Sequence, residues 1–370
     1  VHWRRAGGCR AVRGGSLSLK TVEEVRAVLH ERLDSVDFGS ECVLLDYPAY
    51  PNIGDHLIWL GEVLYLTQSR GVNITYASSA RDFRESWCPR NATIVFHGGG
   101  NFGDLWPDHQ KFRESIIARF PDRKIVILPQ TIYFRNQANL ASAARGLNAH
   151  PDLTLFARCE RSLATALENF AKCRVILAPD PAFHLVGILN PRIQPPRAKQ
   201  ALYHCRVDPE QPPGVDPDYI GLRDLHMEDW VSLRRSWKAV YWETGGRFRA
   251  LRSTAKFLKG LRRELPTFRR ERWSFSDWRA SMPRPAAIPL RTWMMAHAGA
   301  YQFAGYPGIV TNRLHGHILA LLLGIPHVFL PNIYFKNESF YQTWTKDLPG
   351  FRFVDNPFDA RRALTEVSGV

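Results

Sequence analysis

An apolar run between Gly308 and Pro331, GIVTNRLHGHILALLLGIPHVFLP, is interrupted by Arg313, His315 and His317. Burying a guanidinium and imidazoles costs free energy unless partners compensate. The flanking residues predict a buried strand, a tight turn, a short apolar helix and a second strand. The polar cluster therefore falls where strand gives way to helix, the edge at which open parallel sheets bind ligands. Arg313 and His315, two apart with Gly316 behind them, suit an anion clamp beside a general acid or base. His327 fits a satisfied core histidine, and His317 fits a supporting position behind the site.

Polar groups end several other apolar runs. In HGGGNFGDLWP (97–107) successive glycines let backbone N–H groups approach a ligand closely. His97, Gly98, Gly99, Gly100, Asn101 and Asp104 are candidate contacts there, against the competing role of a flexible strand–helix turn. The stretch has neither GxGxxG spacing nor the Lys of a P-loop, so a nucleotide-fingerprint match is weak. In PNIGD (51–55), Asn52 and Asp55 either fix a ligand's hydroxyls or cap a helix expected near Leu57. Gln130, Arg158 and Asp180 end three further runs and would converge on the same sheet edge, although each alone suits a structural loop.

The elements that must position these residues alternate regularly. Helical spacing is expected over 21–33, with Val22, Val25, Leu29 and Leu33 on one face. Apolar strands follow at 42–46, 73–77, 92–96, 124–130, 153–158 and 175–180, with helices between them. Strand–loop–helix units with continuous apolar strands signal an α/β fold with a doubly wound parallel sheet. Proline-rich NPRIQPPRAKQ (190–200) is the expected boundary, and ALYHCRVDPE (201–210) opens a second Rossmann-like half.

Residues 231–291 break the pattern. They hold 16 Lys plus Arg against four acids, interleaved with nine aromatic residues, so most of the chain's net charge of +14 lies there. Residues 247–263 have the spacing of a basic amphipathic helix. A solvated face is the plain role. An anionic membrane surface comes next, then the phosphates of a lipid-linked partner; nucleic acid comes last, because no nucleic-acid module accompanies the segment.

Six cysteines without a CxxC pair argue against a disulfide framework or a zinc site and fit a reducing compartment. The basic start has no following apolar core, and the longest apolar run is too short to span a bilayer. The expectation is a soluble, cytoplasmic chain with no metal, peripheral at the inner face of the membrane if the basic segment engages lipid.

DYPAYPNIGDHLIW, FHGGGNFGDLWP, VILPQTIYF, LFARCERS, LAPDPAFHL and VTNRLHGHILALLLGIPH, in that order, resemble the polysaccharide pyruvyltransferases, the bacterial exopolysaccharide branch in particular. The resemblance covers about residues 41–185 and 291–346. It implies two Rossmann-like domains with parallel sheets facing a cleft, a GT-B-like arrangement. The implied organisation is a tail and helix (1–37), an acceptor-side domain (38–190), a donor-side domain (198–356) carrying the basic insertion (231–291), and a terminal helix (357–370). It also implies transfer of pyruvate from phosphoenolpyruvate, a co-substrate, to a sugar of an exopolysaccharide or lipid-linked saccharide as a cyclic ketal. No cofactor is implied.

Arg313 and His315, the expected catalytic pair, match the family's RLH motif, which contacts phosphoenolpyruvate, and Arg158 matches a family arginine that serves the anionic donor; Arg206, Asn312 and Lys336 are the further expected donor contacts. Asn52, Asp55, His97, Gly98, Gly99, Gly100, Asn101, Asp104 and Gln130 would face the acceptor, with Asp55 or Asp104 a base. One motif departs: PNIYFK (331–336) stands where the family has a DNSYGK-like run, with Ile333 in place of a small polar residue and Phe335 in place of a glycine, so Phe335 is expected to crowd a donor phosphate. A nucleotide-sugar glycosyltransferase on the same architecture, or a non-catalytic membrane- or anion-binding relative, is the alternative.

Overall fold

The structure is a computed structural model that describes residues 11–12, 18–189, 197–206, 220–230 and 287–369. Residues 231–286 of the basic segment, including the helix expected at 247–263, lie outside the described residues.

Two sheets are present. The first contains β1 (Ala11–Val12), β2 (Glu41–Leu45), β3 (Asn73–Ser78), β4 (Thr93–Phe96), β5 (Gly99–Gly103), β6 (Ile125–Tyr133), β7 (Leu153–Ala157) and β8 (Arg174–Leu177). Their order is β1-β8-β7-β6-β4-β2-β3, with β5 paired to β6. The second contains β9 (Leu202–His204), β10 (His226–Glu228), β11 (Ile309–Thr311), β12 (His327–Phe329) and β13 (Phe351–Phe353), in the order β10-β9-β11-β12-β13. Every described pairing is parallel. All residues of β4 and β7 are buried, as continuous apolar strands covered on both faces must be.

Each sheet reverses direction once. In the first, the chain runs from β2 outward to β3 and then back across to β4; in the second, from β9 to β10 and back to β11. Ligands of open parallel sheets bind beyond the strand ends at such a reversal. The segments that leave β2, β4, β9 and β11 at those points carry Asn52 and Asp55, the HGGGN run, Arg206, and the Arg313–His315 cluster.

Helices α1 (Val22–Asp34), α2 (Ile53–Leu64), α3 (Pro107–Arg119), α4 (Gln137–Ala149) and α5 (Glu160–Asn169) belong to the first half. Helices α6 (Ala287–Ala304), α7 (Leu314–Leu323), α8 (Lys336–Phe340) and α9 (Ala360–Ser368) belong to the second. Alternation along the short strands of the second sheet gives it two apolar faces. Tyr203, Val310 and Val328 pack under Ala360 and Leu364 of α9, whereas Leu202, Ile309 and Phe329 join a core continuous with the first sheet.

Helix α2 ties the halves together. His56 Nδ1 lies 3.1 Å from Thr292 Oγ1 on α6. Gly54 and Gly61, two turns apart, let the helix approach its neighbours: a Cβ would overlap the His315 ring at Gly54 and the Pro181 carbonyl at Gly61. The helix also starts at Ile53, a turn earlier than expected, because Asn52 caps it through the Gly54 amide at 3.2 Å.

Candidate active site

The edge contributed by the first sheet is built on buried polar pairs. Arg158, just beyond β7, is 1% exposed and donates to Asp180 Oδ2 at 2.7 Å and to Thr131 Oγ1 through two nitrogens. Asp180 follows β8 and also accepts from the Ala182 amide at 2.9 Å. Burial works to raise its carboxyl, but the charges of His315 and Arg158 outweigh it and hold the group far below the usual carboxylate range. Asp46, at the end of β2, is the one non-glycine with positive φ among the described residues, at 71°. Its carboxylate meets His109 Nδ1 at 2.7 Å and Asn101 Nδ2 at 3.0 Å.

The second sheet supplies the facing edge. Arg313 sits at the N-cap of α7, a ten-residue helix that has no capping side chain at its start and is closed by Gly324 in the left-handed region, φ 65°. Asp229, beyond β10, grips Arg313 at both Nε and Nη2, the latter at 2.6 Å. His315, in the first turn of α7, reaches across to the first sheet, with Nε2 3.2 Å from Asp180 Oδ2. Lys336 opens α8 with its Nζ 5.3 Å from the centre of the Tyr334 ring.

These edges enclose a cleft of about 570 Å³. Arg158, Arg206, Arg313, Lys336 and His315 line it with Asn52, Asp55, Gly100 and Asn101. Gly100 matters for its missing side chain: a Cβ would stand 3.6 Å from Arg158 Nη2 and 3.8 Å from Lys336 Nζ, so two cations converge on open space above it. Asp55 uses Oδ2 to accept from Asn52 Nδ2 at 2.8 Å. Asn101 lines the wall with its polar atoms occupied: its Oδ1 accepts from Arg113 at 2.7 Å and from Gln130 at 3.2 Å.

The remaining sequence candidates are not among the lining residues. His97 is buried against Glu62, Nδ1 to Oε2 at 2.7 Å, and Glu62 also accepts from the Gly98 amide at 2.7 Å. Burial opposes the charge on His97, yet the Glu62 carboxylate outweighs it and holds the imidazole above its ordinary value. Gln130 donates to the His97 carbonyl at 2.8 Å, and Gly99 (φ 119°) belongs to β5 rather than to a loose turn. Asn312 accepts from the Arg206 amide at 3.0 Å. Asp104 is turned to the start of α4, accepting from the Arg135 and Asn136 amides at 2.7 and 2.9 Å. His317 and His327 form a buried relay, His317 Nδ1 to His327 Nε2 at 2.8 Å; burial drives both imidazoles down, His327 to about 4, so they are neutral core groups.

The loop 331–336 is less crowded than the sequence PNIYFK implies. The Phe335 ring packs 6.0 Å from that of Tyr133 and beneath the Arg161 guanidinium at 4.9 Å, and Ile333 is 44% exposed. Neither is among the residues lining the cleft, whereas Lys336 is. Conversely, Tyr50, Trp106, His109, Asp229 and Trp230 line it and were not singled out from sequence. LWPDH offered an aromatic and an imidazole just past the glycine run; Asp229 had no local signal at all. Among the described residues no group of His, Cys, Asp and Glu is arranged to hold a metal ion, and no helix is long and apolar enough to cross a membrane.

Comparison with known proteins identifies the family of the chain. The family model for polysaccharide pyruvyl transferase matches residues 52–334, from the start of α2 to the loop before α8. The protein named putative pyruvyl transferase EpsO, of Bacillus subtilis strain 168, is 30% identical over 336 residues, covering 88% of this chain and 91% of that protein. Pyruvyl transferase 1 of Schizosaccharomyces pombe is 28% identical over 314 residues, covering 81% of this chain and 69% of the yeast protein. The crystal structure of an uncharacterised Klebsiella pneumoniae protein superposes with a TM-score of 0.55 at 19% identity, covering 90% of this chain and 99% of that one, and speaks for the fold alone. The chain belongs to the polysaccharide pyruvyl transferase family, and that membership supports a reaction of the pyruvyl-transfer type.

Proposed function

We propose that this chain transfers pyruvate from phosphoenolpyruvate to two hydroxyls of a sugar, forming a cyclic ketal and releasing phosphate. The observation that carries the reading is the convergence of Arg158, Arg206, Arg313, Lys336 and His315 on one cleft between the two sheets. A small trianion needs several cationic partners, and guanidinium forks suit carboxylate and phosphate alike. The uncapped first turn of α7 adds backbone N–H groups at the same place.

His315 delivers a proton to the methylene carbon of the enol, which becomes the methyl group, and leaves an oxocarbenium-like centre at C2. A sugar hydroxyl attacks C2 and gives up its proton. A second hydroxyl then forms the other C–O bond as the phosphate C–O bond breaks. Two hydroxyl protons are released; one replaces the proton spent at carbon and the other leaves with phosphate. Asp180 fixes the orientation of the His315 ring through Nε2, and the arginines stabilise the departing phosphate.

Asn52, Asp55, Gly100 and Asn101 lie on the acceptor side in this reading, with Asp55 as base. Tyr50 and Trp106 offer aromatic faces of the sort that hold a pyranose ring. The two halves act as a GT-B-like pair, 38–190 for the saccharide or lipid-linked acceptor and 198–356 for the donor. The basic insertion 231–291 brings the chain to an anionic membrane surface on the cytoplasmic side.

The test is phosphate release from phosphoenolpyruvate with saccharide and lipid-linked glycan fractions. Release that requires both partners and disappears in His315→Ala is expected. A purified wild-type chain that neither binds phosphoenolpyruvate nor releases phosphate with any fraction would falsify the reading.

A further inference from the structure

Arg313 is placed for the donor, but a carboxylate already holds it. Asp229 meets both Nε and Nη2, the two-point contact that fixes the plane of a guanidinium. Both side chains are nearly buried, at 7% and 6% exposure. We propose that Asp229 is a positioning residue for Arg313, setting the orientation in which its guanidinium meets the donor anion; the inference rests on the pyruvyl-transfer reading above.

Asp229 is itself anchored. The Trp230 amide donates to its Oδ1 at 2.7 Å, and Gln302 Nε2 of α6 donates to its backbone carbonyl at 3.2 Å. The Trp230 ring lies 4.1 Å from the His204 ring and 5.4 Å from that of Phe303, pinning the segment from behind. The backbone of Arg313 is held on the same side, its amide donating to Thr311 Oγ1 at 3.1 Å, which in turn lies 3.0 Å from His204 Nδ1. Head group and backbone of Arg313 are therefore fixed by one rigid patch of the second sheet.

Charge alone argues the other way. A carboxylate in an anion site repels the anion, so removing its charge should tighten donor binding if Asp229 only dilutes the field of the cleft. Positioning predicts the opposite sign. The two roles separate in one measurement.

Calorimetric titration of the full chain with phosphoenolpyruvate is the experiment, on wild type, Asp229→Asn, Arg313→Ala and the double variant. Asp229→Asn is expected to weaken binding about tenfold, and to add nothing once Arg313 is gone, because a residue acting through another loses its effect with that partner. Asp229→Asn binding as tightly as wild type, or more tightly, overturns the proposal, as does equal weakening in the Arg313→Ala background. Should Asp229→Asn fail to fold, Asp229→Glu replaces it: the charge stays and the geometry shifts, so weaker binding supports positioning and unchanged binding refutes it. A wild-type chain that binds no phosphoenolpyruvate overturns the functional reading itself, whereas the other failures leave that reading standing.

Discussion

His315 and Asp180, 135 positions apart and from different sheets, meet at 3.2 Å across the cleft. Asp180 is simultaneously 2.7 Å from Arg158, so one buried carboxylate joins His315 of the second half to Arg158 of the first. The contact between the two halves and the charged lining of the cleft thus share one carboxylate.

Asp180→Asn keeps the shape and removes the charge. Turnover is expected to fall on the order of 10²-fold, the scale of a lost acid–base contribution. Asp180→Ala takes the carboxylate partner from the buried Arg158 guanidinium and is expected to cost about 3–5 kcal/mol of stability. The pH dependence has a definite sign. The folded-state value of Asp180 lies below its unfolded value of about 3.9, so its contribution is complete above that pH and is lost as pH falls. Denaturant unfolding at pH 2–5 should show a flatter acid limb for Asp180→Asn than for wild type, and no difference in slope near neutrality.

Gly54→Ala tests the fit between α2 and His315. The added methyl has no room beside the imidazole, whereas a Cβ on Gly146 of α4 meets nothing within 4 Å. Gly54→Ala should lower turnover at least tenfold by moving the proton donor, since about 1 Å of misplacement costs some 10² in rate. Gly146→Ala should leave turnover unchanged and raise stability by up to about 1 kcal/mol. Parallel kinetics and thermal melts of the two variants decide the matter.

The sequence exposed what repeats and what clusters. Continuous apolar runs betrayed the buried parallel strands, and polar residues stranded at their ends marked Arg158, Arg313 and His315. It was mute where a role depends on a partner distant along the chain. Asp46 looks like an ordinary strand end until its φ of 71° aims the carboxylate at His109 and Asn101. Asp229 has no periodicity or motif about it; only the fold brings it to Arg313. Asp104, in contrast, sat within the glycine-rich run and seemed part of the site, because proximity in sequence says nothing of which side of β5 a side chain leaves.

Asp55 and Asp104 should therefore part company. Asp55 lines the cleft and Asp104 binds the backbone at the start of α4. Asp55→Ala is expected to reduce turnover at least tenfold with little change in melting temperature. Asp104→Ala should lose on the order of 1–3 kcal/mol of stability, as backbone donors lose a carboxylate partner, with kcat for the remaining folded protein intact. Equal loss of turnover in both variants, at temperatures where both are folded, would count against placing the acceptor on this wall.

Gly100→Ala addresses the donor directly. The added methyl would lie 3.6 Å from Arg158 Nη2 and 3.8 Å from Lys336 Nζ, ordinary contact distances, so it fits the protein without strain. Any ligand oxygen held between those two cations would meet it. Stability should change by no more than about 0.5 kcal/mol, while affinity for phosphoenolpyruvate falls about tenfold or more, the cost of one misplaced anion contact. Lys336→Ala should weaken the same affinity, and combining the two changes should give less than the sum of their separate effects, because both act on one subsite. Full additivity in calorimetry would show that the space above Gly100 and the Lys336 ammonium serve different parts of the ligand.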